Sequence, residues 1–315
     1  MFLNLEHQLL KQIKAYDFQT KEFFLAVSGG MDSIVLLHLF LSLRKILPVS
    51  AKVMHVHHGG SENNEQLAFR NQALSFVKST CAQADIEFIS NENWPEVMLK
   101  SEEQFRDLRY DFFSKYLLSE RQVLVLAHHH EDLLETRLLR LIRGTSLLGL
   151  CAMKELEGQV YRPLLSHSKD ELKKYAEAKK IQWKDDPSND SEDPFRNWLR
   201  HNWLPQLEAF QGGAKKSLSG SLQKLVDEGA MLHEDLKLSD YSTENQLNIS
   251  RFLTLNSSRR LTILARFLRQ HKLYKYNQNH LRELDKRISD FKSNCEFSLL
   301  KNNWILDGEF LILKN

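Results

Sequence analysis

Phe23-Phe24-Leu25-Ala26-Val27-Ser28-Gly29-Gly30-Met31-Asp32-Ser33 is an apolar run that breaks into two glycines and two hydroxyls and then enters an apolar segment, Ile34 to Arg44, of helical period. A buried strand that ends in such a turn and feeds a helix makes a cradle for an anion. Glycine lets the backbone approach closely, the Ser28 and Ser33 hydroxyls can donate, and the helix N-terminus adds its positive dipole end. The stretch lacks the Gly-Lys-Ser/Thr ending of a Walker A loop and the GxGxxG of a dinucleotide fold, so an ordinary NTPase and a dehydrogenase are both disfavoured. Asp32 beside phosphates makes sense if a divalent cation, or a proton to be removed, is present. The competing reading is a tight turn capped by Ser28 or Asp32.

Outward from this turn, Ala51 to Val56, Ile86 to Ser90 and Val123 to Ala127 read as further buried strands, with helices over Glu65 to Ala84 and Met98 to Leu118 between them. Such alternation predicts an α/β domain with a parallel sheet, whose ligands gather at the carboxyl ends of the strands. With 315 residues, the chain is long enough for two domains. Pro205 and Gln211-Gly212-Gly213 place the boundary so that residues 1–210 form the first domain and 211–315 a smaller, mainly helical second one. The end of that second domain, Glu296 to Leu300 and Trp304 to Leu313, reads as a hairpin around Lys301-Asn302-Asn303.

Composition narrows the class. No apolar stretch approaches the roughly 18 residues that span a bilayer, and charges interleave the leucines of Met1 to Tyr16, so membrane insertion and secretion are not expected. Cys81, Cys151 and Cys295 form no CxxC pair, which argues against a disulfide framework, a zinc site or a cysteine-bound cluster and fits a reducing cytoplasm. The net charge of +2 conceals an asymmetry, because Arg251 to Lys292 holds 11 basic and only 3 acidic side chains. A basic face of this kind suits a phosphate-rich partner, although a solvated helix surface would look the same. Within it, Leu261, Leu264 and Leu268 make a core stripe, while Arg259, Arg266 and Arg269 share another face that could meet a nucleic-acid backbone.

Three further segments carry chemistry. Val53-Met54-His55-Val56-His57-His58-Gly59 ends the second strand with a histidine where a nucleotide could pack, or with a plain surface cluster. In Glu102-Glu103-Gln104-Phe105-Arg106-Asp107-Leu108-Arg109-Tyr110, Phe105 and Leu108 turn to the core and Glu102, Arg106 and Arg109 to another face, which alone could be a ladder of ion pairs. In Val123-Leu124-Val125-Leu126-Ala127-His128-His129-His130-Glu131-Asp132, a strand delivers histidines to its carboxyl end, and the i to i+4 spacing lets His128 and Asp132 both point inward. Adjacent histidines on an extended segment diverge, so a shared transition metal is disfavoured.

Taken together these motifs resemble a known family. SGGxDS is similar to the PP-loop of the N-type ATP pyrophosphatases. Within that superfamily, the tRNA(Ile)-lysidine synthetases combine it with HVNHG, ExxxRxxRY, AHHxxDxxET, LLRxxRG, RPLL, DxSN and RNxxR. These correspond here to the His55 segment, to Glu102, Arg106, Arg109 and Tyr110, to Ala127 through Thr136, to Leu138 through Gly144, to Arg162 through Leu165, to Asp185 through Asn189, and to Arg196 through Arg200. The match runs in order over residues 23–205, with His57 in place of the usual Asn and Glu131 in place of a common Asp.

The resemblance implies an ATP- and Mg²⁺-dependent ligase. It would join free L-lysine to C2 of the wobble cytidine of a CAU-anticodon tRNA(Ile) through an adenylated cytidine, changing the codon read from AUG to AUA. It implies Asp32, Arg109, His128 and Asp132 as catalytic residues, with the base left open among Asp32, Asp132 and His128. It also implies Ser28, Gly29, Gly30, Met31, Asp32, Ser33 and His55 around the nucleotide, and Asp32 on Mg²⁺. Arg196 and Asn197, with Arg259, Arg266 and Arg269, would hold the tRNA. Larger members carry a further C-terminal domain, which this chain is expected to lack. Two alternatives remain, a tRNA thiolase, which should show paired cysteines, and a non-catalytic nucleotide-binding module, which would not need Asp32, His128 and Asp132 together.

Overall fold

The structure is a computed structural model that describes residues 4–91, 99, 101–145, 147–151, 153–184, 194–232, 236–271, 273, 276–290 and 294–314. The chain divides into two compact units, residues 1–136 with 153–212, and residues 137–152 with 213–315. The second unit thus takes residues 137–152, a stretch that the linear reading assigns to the first domain.

The first unit opens with α1 (Asn4–Ala15), β1 (Glu22–Ala26), α2 (Met31–Arg44), β2 (Ser50–His55), α3 (Asn64–Gln83), β3 (Glu87–Ser90), α4 (Glu102–Ser114), β4 (Gln122–Val125) and α5 (His130–Ile142). The short α6 (Leu147–Leu150) comes next in the chain but belongs to the second unit, and the first unit resumes with β5 (Leu156–Glu157), β6 (Val160–Tyr161), α7 (Lys169–Ala178), α8 (Pro194–Trp198), one π-helical turn over Leu199–Trp203, and α9 (Leu204–Phe210). The sheet order is β3-β2-β1-β4-β6-β5, parallel except for β5. Chain order reverses beside β1, so the carboxyl ends of β1 and β4 flank the crevice where a doubly wound sheet receives its ligand. β1 is central and carries Phe23, Phe24 and Leu25 at 0, 2 and 0% exposure, as a strand covered on both faces must.

α2 is apolar all round, with Ile34, Val35, Leu36, Leu37 and Phe40 fully buried, because it packs against the sheet and also against α1 and α7. α4 is shorter than the period suggests. Ser101 starts it with a capping box to Gln104, and it turns out after Ser114, leaving Leu118 exposed.

The second unit is built from α10 (Ala214–Leu232), β7 (Ser242–Thr243), β8 (Gln246–Asn248), α11 (Ile249–Leu253), α12 (Ser257–Gln270), α13 (Gln278–Ser289), β9 (Cys295–Leu299), β10 (Asn302–Leu306) and β11 (Phe310–Lys314). The helices α11, α12 and α13 share a core with a five-stranded sheet of order β7-β8-β11-β10-β9, in which the expected terminal hairpin is only a part. The run Trp304 to Leu313 breaks into two strands because Asp307 Oδ1 accepts from the backbone N–H groups of Glu309 and Phe310 while Gly308 takes φ +96°. No helix among the described residues is long and apolar enough to cross a membrane.

Candidate active site at the ends of β1 and β4

The turn after β1 closes on itself. Ser33 Oγ accepts from the N–H of Ser28 and of Gly29, each at 3.2 Å, and donates to Gly30 O at 2.9 Å, while Gly30 N donates to Ser28 Oγ at 3.3 Å. Gly29 has φ +100°, and a Cβ there would meet the Ala73 Cβ of α3 at 3.4 Å. The loop is also pinned from outside, by Lys184 N donating to Gly29 O at 3.0 Å. Gly30 is the N-cap of α2 and offers no side chain to the first-turn N–H groups, which therefore face the crevice as anion donors. Met31 packs on the core. His55, expected to line the nucleotide, is 4% exposed, and its Nδ1 donates to Val27 O at 2.8 Å. Through that bond it steadies the strand that carries the loop.

β1 and β4 are paired from Glu22↔Gln122 to Leu25↔Val125, so the turns that leave them emerge side by side. Asp32 from the first turn and the histidine run from the second therefore meet. The imidazole at the meeting point is His129, which the sequence reading passed over in favour of His128. His129 Nε2 lies 3.6 Å from Asp32 Oδ2 and 3.4 Å from Asp132 Oδ2, and Nδ1 lies 3.0 Å from Glu131 Oε2. Its own N–H donates to Asp132 Oδ2 at 3.0 Å. Burial alone would lower its pKa, but the carboxylates of Asp32, Glu131 and Asp132 outweigh that and raise it to about 10. His128 behaves in the opposite way. Burial dominates, the positive groups Arg162, His129 and Arg109 add to it against Asp132, and its pKa falls to about 4. The two neighbouring imidazoles are thus shifted in opposite directions, His129 toward the charged form and His128 toward the neutral one.

Two residues absent from the expected site complete the cluster. Arg200, on the π-helical turn, holds Glu135 through Nε and Nη2, both at 2.7 Å, and its Nη2 reaches Asp132 Oδ1 at 3.2 Å. Glu135 has 2% of its side chain exposed, so this fork neutralises a buried carboxylate and orients Asp132. The AHHxxDxxET and RNxxR motifs contain Glu135 and Arg200, and only their pairing was hidden. Glu131 bridges His129 to the Lys169 N–H that starts α7, and its pKa is lowered to about 2 because these two donors outweigh its burial. Asp32 Oδ1 is buried without a hydrogen-bond partner.

Arg109, on α4, lies where its charge acts on both His128 and His58, so α4 contributes to the same end of the sheet. Arg196 and Asn197 are on α8, and Asn197 Nδ2 is buried without a hydrogen-bond partner. The expected segment Asp185 to Asn189 lies outside the described residues.

The α12 arginines are not a uniform cationic face. Arg266 Nη1 donates to Leu236 O, and Arg269 Nε donates to Tyr276 Oη at 3.1 Å, so both help fold their own unit. Guanidinium groups carry enough donors to brace a neighbour, which a face assigned from spacing alone does not register.

The PP-loop domain family matches residues 2–207. A tRNA(Ile)-lysidine synthase of Bdellovibrio bacteriovorus is 34% identical over 97% of this chain and 96% of its own length. Proteins of the same name from Histophilus somni and Haemophilus influenzae are 32% and 31% identical over 85% and 88% of this chain, which spans 63% and 66% of their lengths. A U34-tRNA thiolase from Methanococcus maripaludis with its [4Fe-4S] cluster shares the fold at TM-score 0.56 and 18% identity, over 71% of this chain and 78% of that one. With a PP-loop domain over well more than half of its length and a relative matched nearly end to end, this chain belongs to the tRNA(Ile)-lysidine synthases, a family of ATP-using ligases that modify tRNA.

Proposed function

We propose that the chain ligates L-lysine to C2 of the wobble cytidine in a CAU-anticodon tRNA(Ile), with ATP cleaved to AMP and pyrophosphate. The observation that carries this reading is the convergence of Asp32, from the phosphate-binding turn, with His129 and Asp132 at the neighbouring strand end. Attack of the cytidine O2 on the α-phosphate expels pyrophosphate and makes C2 electrophilic. The neutral ε-amine of lysine then attacks C2, and AMP leaves with the former O2.

The uncapped first-turn N–H groups of α2, just after the glycine turn, hold phosphate oxygens as charge builds on the leaving group. Asp32 fits Mg²⁺. Its Oδ1 is buried and unpartnered, which suits an ion held by one or two carboxylates and substrate phosphates. Mg²⁺ bound there supplies charge neutralisation for the departing pyrophosphate. The incoming amine must lose a proton, and the acceptors in place are Asp32, Asp132 and the neutral His128, whereas His129 is already protonated. Arg109 supplies positive charge at the strand ends. Arg196, Asn197, Arg259, Arg266 and Arg269 are the candidates for holding the tRNA. Since ATP, free lysine and tRNA must all be at hand, the activity belongs in the cytoplasm.

The thiolase alternative finds no support in the thiols. Cys81 is buried, and burial pushes its pKa up to about 11, away from a reactive thiolate. The test is nucleoside mass spectrometry of a CAU-anticodon tRNA(Ile) transcript incubated with the protein, ATP, Mg²⁺ and lysine. Lysidine, with one AMP and one pyrophosphate per turnover, is the expected product. A thiolated cytidine, release of ADP, or ATP cleavage that ignores the tRNA would sink the reading.

A further inference from the structure

The loop that leaves β2 is held more tightly than its glycines suggest. Arg70, on α3, is 9% exposed, and its Nη1 donates to three successive carbonyls, His58 O at 3.4 Å, Gly59 O at 3.1 Å and Gly60 O at 2.9 Å. Asn91, just beyond β3, clamps the next residue back with both ends of its amide: Oδ1 accepts from His57 N at 2.7 Å, and Nδ2 donates to His57 O at 2.9 Å. His57 Nδ1 accepts from Gly59 N at 3.2 Å, which leaves its proton on Nε2 to donate to Asn71 Oδ1 at 3.0 Å. Gly59 takes φ +78° to make this curl.

The same guanidinium connects the loop to α4. It lies 5.4 Å from the centroid of the Phe105 ring, and that ring stacks on His58 at 4.9 Å with an interplanar angle of 28°. Phe105 stands one helical turn before Arg109, whose positive charge contributes to lowering the pKa of both His58 and His128. The loop also borders the phosphate cradle directly, because β2 pairs with β1 and His55 bonds Val27 O. A buried cation committed to three consecutive carbonyls costs desolvation, and a surface loop does not need one to stay folded. That cost is understandable where a loop must hold one shape against a ligand.

We propose that Arg70 is a positioning residue of the nucleotide site: by gathering the carbonyls of residues 58–60 it fixes the loop after β2 as one wall of the ATP site and, through His58 and Phe105, sets where Arg109 reaches. This rests on reading the Ser28 to Ser33 turn as the ATP phosphate site. Because a single nitrogen makes all three contacts, a lysine ammonium with its three N–H donors can replace it, whereas methionine keeps the packing on Phe105 and loses the bonds.

The experiment compares wild type, R70K, R70M and N91A by calorimetric titration with Mg·ATP in the absence of tRNA, and by pyrophosphate release with tRNA and lysine. R70M should weaken ATP binding and raise the KM for ATP tenfold or more while kcat changes less than threefold. R70K should stay within threefold of wild type, and N91A should fall between. ATP affinity unchanged in R70M, or R70K impaired as much as R70M, would overturn the proposal. If R70M does not fold, N91A decides, and wild-type affinity in that variant overturns it equally. A wild type that binds ATP but makes no lysidine would refute the functional reading while leaving the Arg70 comparison valid. One that binds no ATP would refute both.

Discussion

Asp32 Oδ2 lies 3.6 Å from His129 Nε2, although one residue opens the helix after β1 and the other ends the strand extension after β4. The carboxylate is thereby held against an imidazole whose pKa is raised to about 10, which fixes its orientation, while Oδ1 is buried without a hydrogen-bond partner. Asp32→Asn should keep the fold and slow tRNA-dependent pyrophosphate release by a factor on the order of 100 or more. Unchanged turnover would remove Asp32 from the chemistry.

The two glycines of the cradle should respond differently. Gly29 sits at φ +100° against Ala73, so Gly29→Ala should cost about 1 to 3 kcal/mol of stability in urea unfolding. Gly30 has φ −72°, which any residue adopts, and a Cβ there would meet only Ser28 Oγ at 3.6 Å. Gly30→Ala should therefore unfold like wild type while binding ATP more weakly, because its Cβ narrows the cradle. Equal loss of stability in both variants would contradict this assignment.

Arg200 and Glu135 form a two-bond fork that a lysine cannot reproduce. Arg200→Lys and Glu135→Gln should each lower both stability and turnover. A double-mutant cycle on urea unfolding should return a coupling of roughly 1.5 to 3 kcal/mol, the range for hydrogen bonds to charged groups. Additive effects would mean the fork is incidental.

Stability should peak near pH 6.5 and fall on both sides. His129 has a folded pKa of about 10 against 6.5 unfolded, so its contribution is complete below pH 6.5 and is lost as pH rises toward 10. His58, lowered to about 3 chiefly by burial and then by Arg109 and Arg70, and His128, lowered to about 4, are protonated only in the unfolded chain between those values and 6.5. They destabilise the fold progressively as pH drops through that window, each by at most about 1.4 kcal/mol per pH unit. Urea midpoints measured from pH 4 to 9 should trace this shape, and His58→Gln should flatten its acid limb. A midpoint that keeps rising from pH 7 to 9 would show that His129 is not a buried cation.

Arg259 lies in the first turn of α12, where its backbone N–H donates to Oδ1 of the N-cap Asn256 at 3.0 Å. Arg259→Gln should weaken tRNA binding and lower the salt slope by about one contact, alike for tRNA(Ile) and for a tRNA(Met) with the same anticodon. Arg269→Gln should instead lower the thermal midpoint by removing the bond to Tyr276. A salt slope that Arg259→Gln leaves unchanged would assign that residue to its own unit.

What the sequence by itself determined is whatever depends on near neighbours. The glycine turn between an apolar strand and an apolar helix, the alternation that makes a parallel sheet, and the strand that ends in histidines all follow from side-chain period and turn chemistry over a few residues. The tertiary structure alone decided which of three adjacent histidines meets Asp32, because that depends on the register of β1 against β4, and a shift of one residue would turn His129 away and His128 in. It also decided that Arg200 answers Glu135, that His55 holds backbone, and that Arg266 and Arg269 brace their own unit. The terminal strands could be read only as a hairpin, since the partners of β11 include β8, far earlier in the chain. Pairings of this kind are selected by burial and the neutralisation of buried charge among groups distant in sequence, and no local pattern records them.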